Sequence, residues 1–351
     1  MQDHVVLRSV DDAQAEILRH FRPLEIESVP LSQALGRTLA APAVADAPIP
    51  GFANSAMDGY AVLAADVAAA SPAAPVTLRI VSDLAAGYVA QGAVTPGATI
   101  RIMTGAPLPA GADAVVPFEE TDEQAADSLA AQGLVRIYQP AAVGNNVRPA
   151  GEDLRAGELA LAPGTLIRPA EIGVLATVGA ALVPVHRRPR VAILATGDEL
   201  VDVGERPGPG QIRNSNGYAN LAQVLAAGGE PLQLPVARDT EAEVAARIEE
   251  GLAWGADLFL TSGGVSVGDF DVVKKVLTKM GRLEFWRVKM RPGKPLVFGW
   301  LRETPFIGLP GNPVSAMVCF ELFARPALLA MAGRRNLGRP TLLARFEDEL
   351  E

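Results

Sequence analysis

The stretch ADLFLTSGGVSVGDFDVVKKVLTKMG (256–281) decides the fold of this chain. Its apolar start predicts a buried strand, its glycine-rich centre a loop, and its last part a helix that closes at Gly281. The order of strand, loop and helix recurs at 191–227 and at 306–328. Strands that alternate with helices predict a parallel sheet covered by helices on both faces, so the expected fold class is a three-layer α/β domain.

Changes in composition divide the rest of the chain. Glycine and proline recur at short intervals between 48 and 139, around short β-type runs, which is typical of a compact β-rich domain inserted between helical pieces. Helices are expected near 31–39 and at 170–178. We therefore predict a small helical linking domain formed by 1–47 and 140–186, an inserted β-rich domain at 48–139, and the α/β domain at 187–332. A further helix is expected at the N-terminus, where Ile17, Leu18 and Phe21 fall on one face, and this first helix of the linking domain is free to pack on the α/β domain.

Composition excludes several classes of protein. The net charge of −9 argues against a nucleic-acid binder, and an anion can be bound only where cations are concentrated locally. One cysteine and three scattered histidines exclude a disulfide framework and make a thiolate or histidine metal site improbable. The N-terminus lacks the apolar core of a signal peptide, and the apolar run 172–185 is too short to span a bilayer. We expect a soluble, cytoplasmic protein with no membrane partner.

Ligands of a parallel sheet collect at the carboxyl ends of its strands. Four loops are expected at that edge, beginning at Thr196, Ala237, Thr261 and Leu309. In the loop TSGGVSVGDFD, Gly263 and Gly264 permit positive φ and expose successive N–H groups, to which Ser262 and Ser266 can add hydrogen bonds. A plain turn, a phosphate cradle, and a site for both an anion and a metal are the three alternatives for this loop.

The loop LPGNPVSA (309–316) predicts an anion site at a helix N-terminus. Asn312 is a suitable N-cap and Pro313 a suitable first helical residue, while the backbone of 310–312 (Pro310, Gly311 and Asn312) and the Ser315 hydroxyl can donate to an oxyanion. A tight turn with a good cap explains the same residues without any ligand.

A dense group of cations lies in GRLEFWRVKMRPGKPLVFG (281–299). Alternation places Arg287, Lys289 and Arg291 on one face with Phe285, whereas Trp286, Val288 and Met290 point into the core. Lys294 follows after a Pro-Gly turn. A solvated strand face explains the same charges without any ligand. We favour Arg291 and Lys294 as ligands of an anion such as phosphate, because they lead into a turn beside the two glycine-rich loops.

Acidic residues in the same loops are candidate metal ligands. Asp239 and Asp271 are the first candidates, with Glu199 in support and Asp269 as an alternative to Asp271. One of the last two could instead cap the following helix. Carboxylates next to an anion site repel the anion, and a hard divalent cation such as Mg²⁺ removes that repulsion.

Seven ordered motifs resemble the molybdopterin molybdenumtransferases, the MoeA family that includes the gephyrin E domain. The motifs are SAMDGYAV, IMTGAPLPAGADAVVPFEET, NVRPAGEDL, ILATGDEL, TSGGVSVGD, RPGKP and GLPGNPVSA, within 9–339. The resemblance implies insertion of molybdenum from molybdate into adenylylated molybdopterin, with release of AMP. It further implies Mg²⁺, an elongated homodimer, an α/β domain related to the adenylyltransferases of the same pathway, and one such adenylyltransferase as a possible partner.

The resemblance also implies roles for individual residues. The functional acids fall on Asp58, which could reach the cleft from the partner subunit, on Glu199 and Asp239, and on Asp271 with Asp269 as the competing alignment. The remaining positions fall on Thr104, Arg148, Lys294, Pro310 and Pro313.

Two departures from the family pattern bear on function. Arg287 and Arg291 stand where family members can carry lysine, and the planar guanidinium fork makes a proton-transfer role there doubtful. The family ends in a small β domain, of which 333–351 contains only what resembles the first strand, so the C-terminal β domain is expected to be largely absent. The rival hypotheses are a non-catalytic scaffold of the same fold and a nucleotide hydrolase that releases AMP without molybdate.

Overall fold

The computed structural model describes residues 7–263 and 272–345. These residues form the strands β1 Leu7–Arg8, β2 Ile26–Pro30, β3 Ala43–Val44, β4 Asn54–Ser55, β5 Gly59–Val62, β6 Val76–Leu84, β7 Ala98–Ile102, β8 Ala114–Pro117, β9 Leu134–Ile137, β10 Val147–Arg148, β11 Leu159–Leu161, β12 Leu182–His186, β13 Arg190–Ala195, β14 Leu200–Val201, β15 Ile212–Arg213, β16 Glu230–Gln233, β17 Leu258–Ser262, β18 Gly281–Val288, β19 Pro295–Leu301 and β20 Thr304–Leu309. The helices are α1 Val10–Leu18, α2 Ala64–Val67, α3 Pro169–Thr177, α4 Ser215–Ala226, α5 Glu241–Ala253, α6 Val272–Met280, α7 Pro313–Cys319 and α8 Arg325–Met331; a π-helical turn, Phe320–Ala324, joins α7 to α8.

Residue contacts divide the chain into two compact units. The first comprises Met1–Pro42, Leu161–Gly173 and Ala180–Glu351, and the second comprises Ala43–Ala160 and Val174–Gly179. The second unit is β-rich and interrupts the first along the chain, as the composition predicts. The finer division into a linking domain and an α/β domain stays a prediction.

The first unit is built on a seven-stranded sheet with the strand order β1-β18-β19-β20-β17-β13-β16. Neighbouring strands are parallel except at β19, which is antiparallel to both β18 and β20. Since β18 and β20 therefore run in the same direction, the turn between β18 and β19 lies at the carboxyl edge of the parallel strands. The predicted parallel α/β class is confirmed, with one reversed strand.

Helices cover both faces of this sheet because successive side chains of a buried strand point to opposite sides. On one face, Val191, Ile193 and Leu260 pack in a core with residues of α1, α4, α7 and α8. On the other face, Ala192 and Phe259 pack with residues of α5 and α6. The result is the three-layer arrangement expected from the alternation of strands and helices.

The second unit contains a five-stranded sheet in the order β8-β5-β7-β6-β9. Both of its faces are apolar: Tyr60 and Val62 belong to one core, and Ala61 and Ile100 to another. The fully buried Tyr60 donates its hydroxyl hydrogen bond to Glu123, which also accepts from Arg101. The only polar end of this tyrosine is thus paired, as a buried phenol requires.

One helical stretch within 7–263 and 272–345, Pro313–Met331, is long and apolar enough to cross a membrane by length and composition alone. However, 61% of its apolar window is buried inside the protein. Ala316, Cys319 and Phe323 pack in the core of the first unit. The stretch therefore has the packing of a core helix.

Two local predictions are wrong. The helix expected at 31–39 is only a 3-10 turn, Leu31–Gln33, because Gly36 has a φ of 75° and the backbone after it pairs with 165–167. A strand was expected within 339–351, and the described part of this stretch, 339–345, forms no regular structure.

A close approach between α5 and the sheet gives a test of the packing. A Cβ at Gly251 would lie 2.6 Å from Cζ of Phe259 and 2.9 Å from Cβ of Ala192, whereas Gly173 in α3 has open space there. Alanine gains about 1 kcal/mol of helix propensity over glycine, but overpacking costs about 1–3 kcal/mol. We expect Gly173→Ala to raise the free energy of unfolding in urea and Gly251→Ala to lower it. Equal changes in the two variants would contradict this packing.

Candidate functional site

The carboxyl edge of the sheet brings the four predicted loops together. Ala195 lies opposite Ser262, and Ser262 lies opposite Leu309, so the strands β13, β17 and β20 end side by side. Thr196 forms a parallel bridge with Ala237, which adds the loop after β16. The prediction that these loops share one edge is confirmed.

A small cavity of about 100 Å³ lies at this edge. Its lining includes five residues predicted from the sequence: Glu199, Ser262, Gly263, Gly311 and Pro313. It also includes residues that the sequence analysis did not identify as site residues, namely Thr196, Leu200 and Ile212–Asn216. These reach the edge because β14 pairs with β15 and folds the long loop after β13 back on itself. Strands of two residues carry no periodicity, so this ladder gives no signal in the sequence.

A larger cavity of about 540 Å³ shares Leu200 and Asn214 with the small one. Cavities of this size are typical of small-molecule sites. Within it, the Tyr218 hydroxyl donates a 2.8 Å hydrogen bond to Asp202. The Val203 N–H and this hydroxyl hold the pKa of Asp202 below its usual value.

Residues 309–314, here called the anion loop, carry unpaired backbone donors. The Asn312 side chain accepts from the Ser315 N–H at 3.2 Å and so caps α7. Across the described chain, the N–H groups of Gly311, Asn312 and Val314 donate to no protein acceptor. All three residues are exposed, so an oxyanion can reach these donors.

Pro310 in this loop and Ser315 directly after it are two further residues predicted for the anion site, and their surroundings differ. The Ser315 hydroxyl lies 3.4 Å from the Asn312 side-chain oxygen, so in this conformation it supports the cap, and its role as an anion ligand stays a prediction. Pro310 precedes the unpaired donors and does not line the small cavity.

The cations lie at the same edge, in and next to residues 289–294, here called the cationic turn. The strand β18 ends at Val288, so Lys289, Arg291 and Lys294 belong to the turn. The predicted alternation nevertheless continues through Arg291, since Met290 packs against the core together with Trp286 and Val288. The side chains of all four are exposed. Within the described residues none of the four forms an ion pair with a carboxylate. Four uncompensated cations in a chain of net charge −9 favour an anionic ligand.

The cationic turn is held against α7. A hydrogen bond from the Val288 N–H to the Lys294 carbonyl closes it at 2.7 Å. Gly293 has a φ of 98°, and its carbonyl accepts a 3.5 Å hydrogen bond from the Cys319 thiol. A Cβ at Gly293 would lie 2.7 Å from Sγ of Cys319, so only glycine fits there. Burial raises the pKa of the Cys319 thiol to about 12, as expected for a packing residue and not for a nucleophile.

The carboxylates of the edge lie near the loop after β13. Gly197 has a φ of 144°, and the Glu199 carboxylate lies so close to it that a Cβ would come within 2.3 Å of an oxygen. Asp198, which the sequence analysis did not propose, accepts from the Asp239 N–H at 3.3 Å. Asp239 lines neither cavity, although its neighbour Arg238 lines the larger one. Arg238 also donates to the Asp198 carbonyl at 3.2 Å.

A magnesium ion fits this donor set only in part. No group of three potential metal ligands is present in the described parts of the chain. Mg²⁺ is commonly held by one or two carboxylates together with waters and substrate phosphates, so Asp198, Glu199 and Asp239 are suitable donors without a complete protein cage. The other predicted residues of this region, Gly264, Ser266, Asp269 and Asp271, lie outside the described residues.

The second unit contains the remaining predicted residues. Asp58 accepts two hydrogen bonds of 2.7 Å, from the N–H and from the hydroxyl of Thr104. These bonds, the backbone one first, hold the pKa of Asp58 below its usual value. Arg148 is exposed on β10, which pairs with β4 and places Arg148 opposite Asn54. The structure thus joins Asp58 with Thr104 as a pair.

The pair gives a prediction for Thr104→Val. The variant removes the hydroxyl donor and keeps the N–H, so we expect the pKa of Asp58 to rise toward its usual value without reaching it. A lowered pKa means that the contribution of Asp58 to stability is present above the unfolded pKa and is lost as pH falls through the folded value. Carboxyl-carbon NMR titration of Asp58 measures the shift, with Thr99→Val as the control for loss of a threonine hydroxyl elsewhere. An unchanged pKa would contradict the assigned bond.

Comparisons with known proteins agree with this fold. Residues 8–179 match the MoeA N-terminal region (domain I and II), and residues 192–330 match the family described as "Probable molybdopterin binding domain". A structure of the molybdopterin biosynthesis MoeA protein from Pyrococcus horikoshii OT3 superposes with a TM-score of 0.79 at 31% identity, over 95% of this chain and 81% of that one. The class of protein defined here is therefore a MoeA-type α/β protein with an inserted β-rich unit.

Two relatives share a higher sequence identity with this chain than the Pyrococcus protein does. Molybdopterin molybdenumtransferase 2 of Mycobacterium tuberculosis is 42% identical over 343 residues, which cover 95% of this chain and 82% of that protein. Molybdopterin molybdenumtransferase of Bacillus subtilis is 39% identical over 320 residues, 91% and 74% of the two chains. The chain belongs to the molybdopterin molybdenumtransferase family, and this family places it among the transferases of molybdenum cofactor biosynthesis.

Proposed function

We propose that this protein inserts molybdenum from molybdate into adenylylated molybdopterin and releases AMP and the finished cofactor. The proposal includes Mg²⁺ dependence, a homodimer, a cytoplasmic location and substrate supply by the adenylyltransferase of the same pathway. One observation carries it. The anion loop has N–H groups, and the cationic turn has cations, that have no partner within the part of the chain that the structure describes, and both lie at one edge of one sheet.

Each group has a distinct task in the proposed reaction. Arg291 and Lys294 attract the oxyanion, and the N–H groups of Gly311, Asn312 and Val314 orient its oxygens. Donors that are fixed before the anion arrives need no reorganisation during the reaction, which is the main source of electrostatic catalysis. The adjoining cavity of about 540 Å³ offers volume for the organic part of the substrate.

The carboxylates at this edge are the proposed ligands of Mg²⁺. Asp198, Glu199 and Asp239 are the described donors, and Asp269 and Asp271 remain candidates from the sequence. When bound, Mg²⁺ would polarise the phosphates of the substrate and neutralise their charge next to these acids. The cysteine and histidines of the chain need no role, in agreement with the raised pKa of the Cys319 thiol.

The reaction gives the direct test. Purified protein is mixed with adenylylated molybdopterin, Mg²⁺ and molybdate, and AMP is measured by chromatography. We expect AMP release that depends on molybdate. Release without molybdate would identify a nucleotide hydrolase, and no release under either condition would favour a scaffold; both results contradict the proposal.

A charge variant tests the role of the cationic turn. We expect Lys294→Gln to lower turnover about tenfold or more, because it removes an unpaired cation next to the oxyanion. Lys279→Gln is the matched control, since Lys279 is an exposed lysine that pairs with Glu241 on α5. Turnover of the control should match the wild type. Equal turnover of both variants would exclude Lys294 from anion binding.

A further inference from the structure

The helix α4 presents a row of amide side chains to α7. Asn216, Asn220 and Gln223 are spaced at i, i+4 and i+7, so they share one helix face. The α4 helix packs against α7. The Asn216 amide donates to the Gly311 carbonyl at 2.8 Å, and the Gln223 amide donates to the Met317 carbonyl at 3.2 Å.

A contribution to folding stability does not explain this row of amide side chains on α4. Asn220, between the other two, is fully buried, and both polar atoms of its amide lack a partner among the described residues. A buried amide without a partner costs free energy, and an apolar side chain would pack there at no such cost. Apolar side chains would stabilise the contact between α4 and α7 more than this row does. We therefore looked for its function in the two backbone carbonyls that it binds.

The two bonded carbonyls differ in their place on α7. The Met317 carbonyl lies inside the helical stretch and also accepts from the Phe320 N–H. The Gly311 carbonyl precedes the helix, within the anion loop, and no backbone N–H of the described chain donates to it. The Asn216 amide is thus the one described group that fixes the direction of this carbonyl, and Asn216 also lines the small cavity.

The direction of the Gly311 carbonyl determines that of the next N–H. In a trans peptide the carbonyl and the following N–H point in opposite directions, and the bond between Gly311 and Asn312 is trans. Since the carbonyl points to α4, the Asn312 N–H points away from α4. The α4 helix packs over β13 and β16, whereas the cationic turn lies beyond β20 in the strand order.

We infer that Asn216 is a positioning residue that aims the Asn312 N–H toward the side of the cationic turn, so that both act on the same oxyanion. The inference rests on the proposed function for the identity of the anion. Asn216 does not itself contact the anion in this arrangement. Its effect on binding is exerted through the peptide between Gly311 and Asn312.

Two matched variants test the inference. Asn216→Ala and Gln223→Ala each remove one amide donor from α4 to a carbonyl of the segment that contains α7, so both should lower the melting temperature by a similar small amount. Titration calorimetry with tungstate, a structural substitute for molybdate, should show affinity reduced about tenfold in Asn216→Ala and unchanged in Gln223→Ala. A hydrogen bond to a charged group contributes roughly tenfold or more to binding, and it is weakened when its donor turns away. Backbone ¹⁵N NMR should show the Asn312 amide signal moved by tungstate in the wild type and less so in Asn216→Ala.

Turnover adds a measurement that a merely structural role would not change selectively. In Asn216→Ala we expect the KM for molybdate to rise about tenfold and the KM for adenylylated molybdopterin to stay constant. Equal tungstate affinities in the two variants, or equal changes in both KM values, would overturn the inference. If wild-type protein binds tungstate at the Asn312 amide but gives no molybdate-dependent turnover, the proposed function fails, and the tungstate affinities of the two variants alone decide the positioning role of Asn216.

Discussion

The reversed direction of β19 in an otherwise parallel sheet is the constraint on which the candidate site depends. Because β19 returns antiparallel between β18 and β20, the turn before it lies at the carboxyl edge of the parallel strands. That edge is where the loops after β13, β17 and β20 also lie. A parallel β19 would need a crossover connection, and its cationic turn could not then be a short hairpin.

Charge distribution follows from this arrangement. The chain carries a net charge of −9, and its carboxylates Asp198, Glu199 and Asp239 lie in loops of the same edge. Ion pairs of arginine in the described chain lie mostly away from this edge of the sheet, for example the pair of Arg187 with Asp257. Arg291 and Lys294 have no such partner among residues 7–263 and 272–345, which leaves their charge available for a ligand. An acidic protein can thus offer an anion a locally positive surface.

Sequence patterns predict the parts of this structure that depend on periodicity or on caps. Trp286 and Val288 are buried and Arg287 is exposed, as alternation along a strand requires. Asn312 caps α7 where it was expected, and residues of the same cap-forming type, Asn214 and Thr240, cap α4 and α5. These features are local, so a short window of sequence contains the information that determines them.

Short sequence patterns do not reveal contacts between residues that are far apart along the chain. The bond from Asn216 to Gly311 and the contact between Gly293 and Cys319 join segments that are far apart in sequence. The β14–β15 ladder is too short to have a pattern, yet it brings Arg213 and Asn214 to the cavity. The predicted helix at 31–39 failed for the same reason, since its backbone pairs with 165–167 instead of with itself.

The position of a bound oxyanion tests the central claim most directly. Crystals soaked in tungstate give an anomalous signal that distinguishes tungsten from the lighter atoms of protein and solvent. We predict a tungsten peak at the anion loop, placed so that the tungstate oxygens lie within hydrogen-bond reach of the Gly311, Asn312 or Val314 N–H groups. The Lys294 or Arg291 side chain should lie on the other side of the anion. A well-occupied tungsten peak elsewhere in the first unit, with none at this loop, would contradict the account.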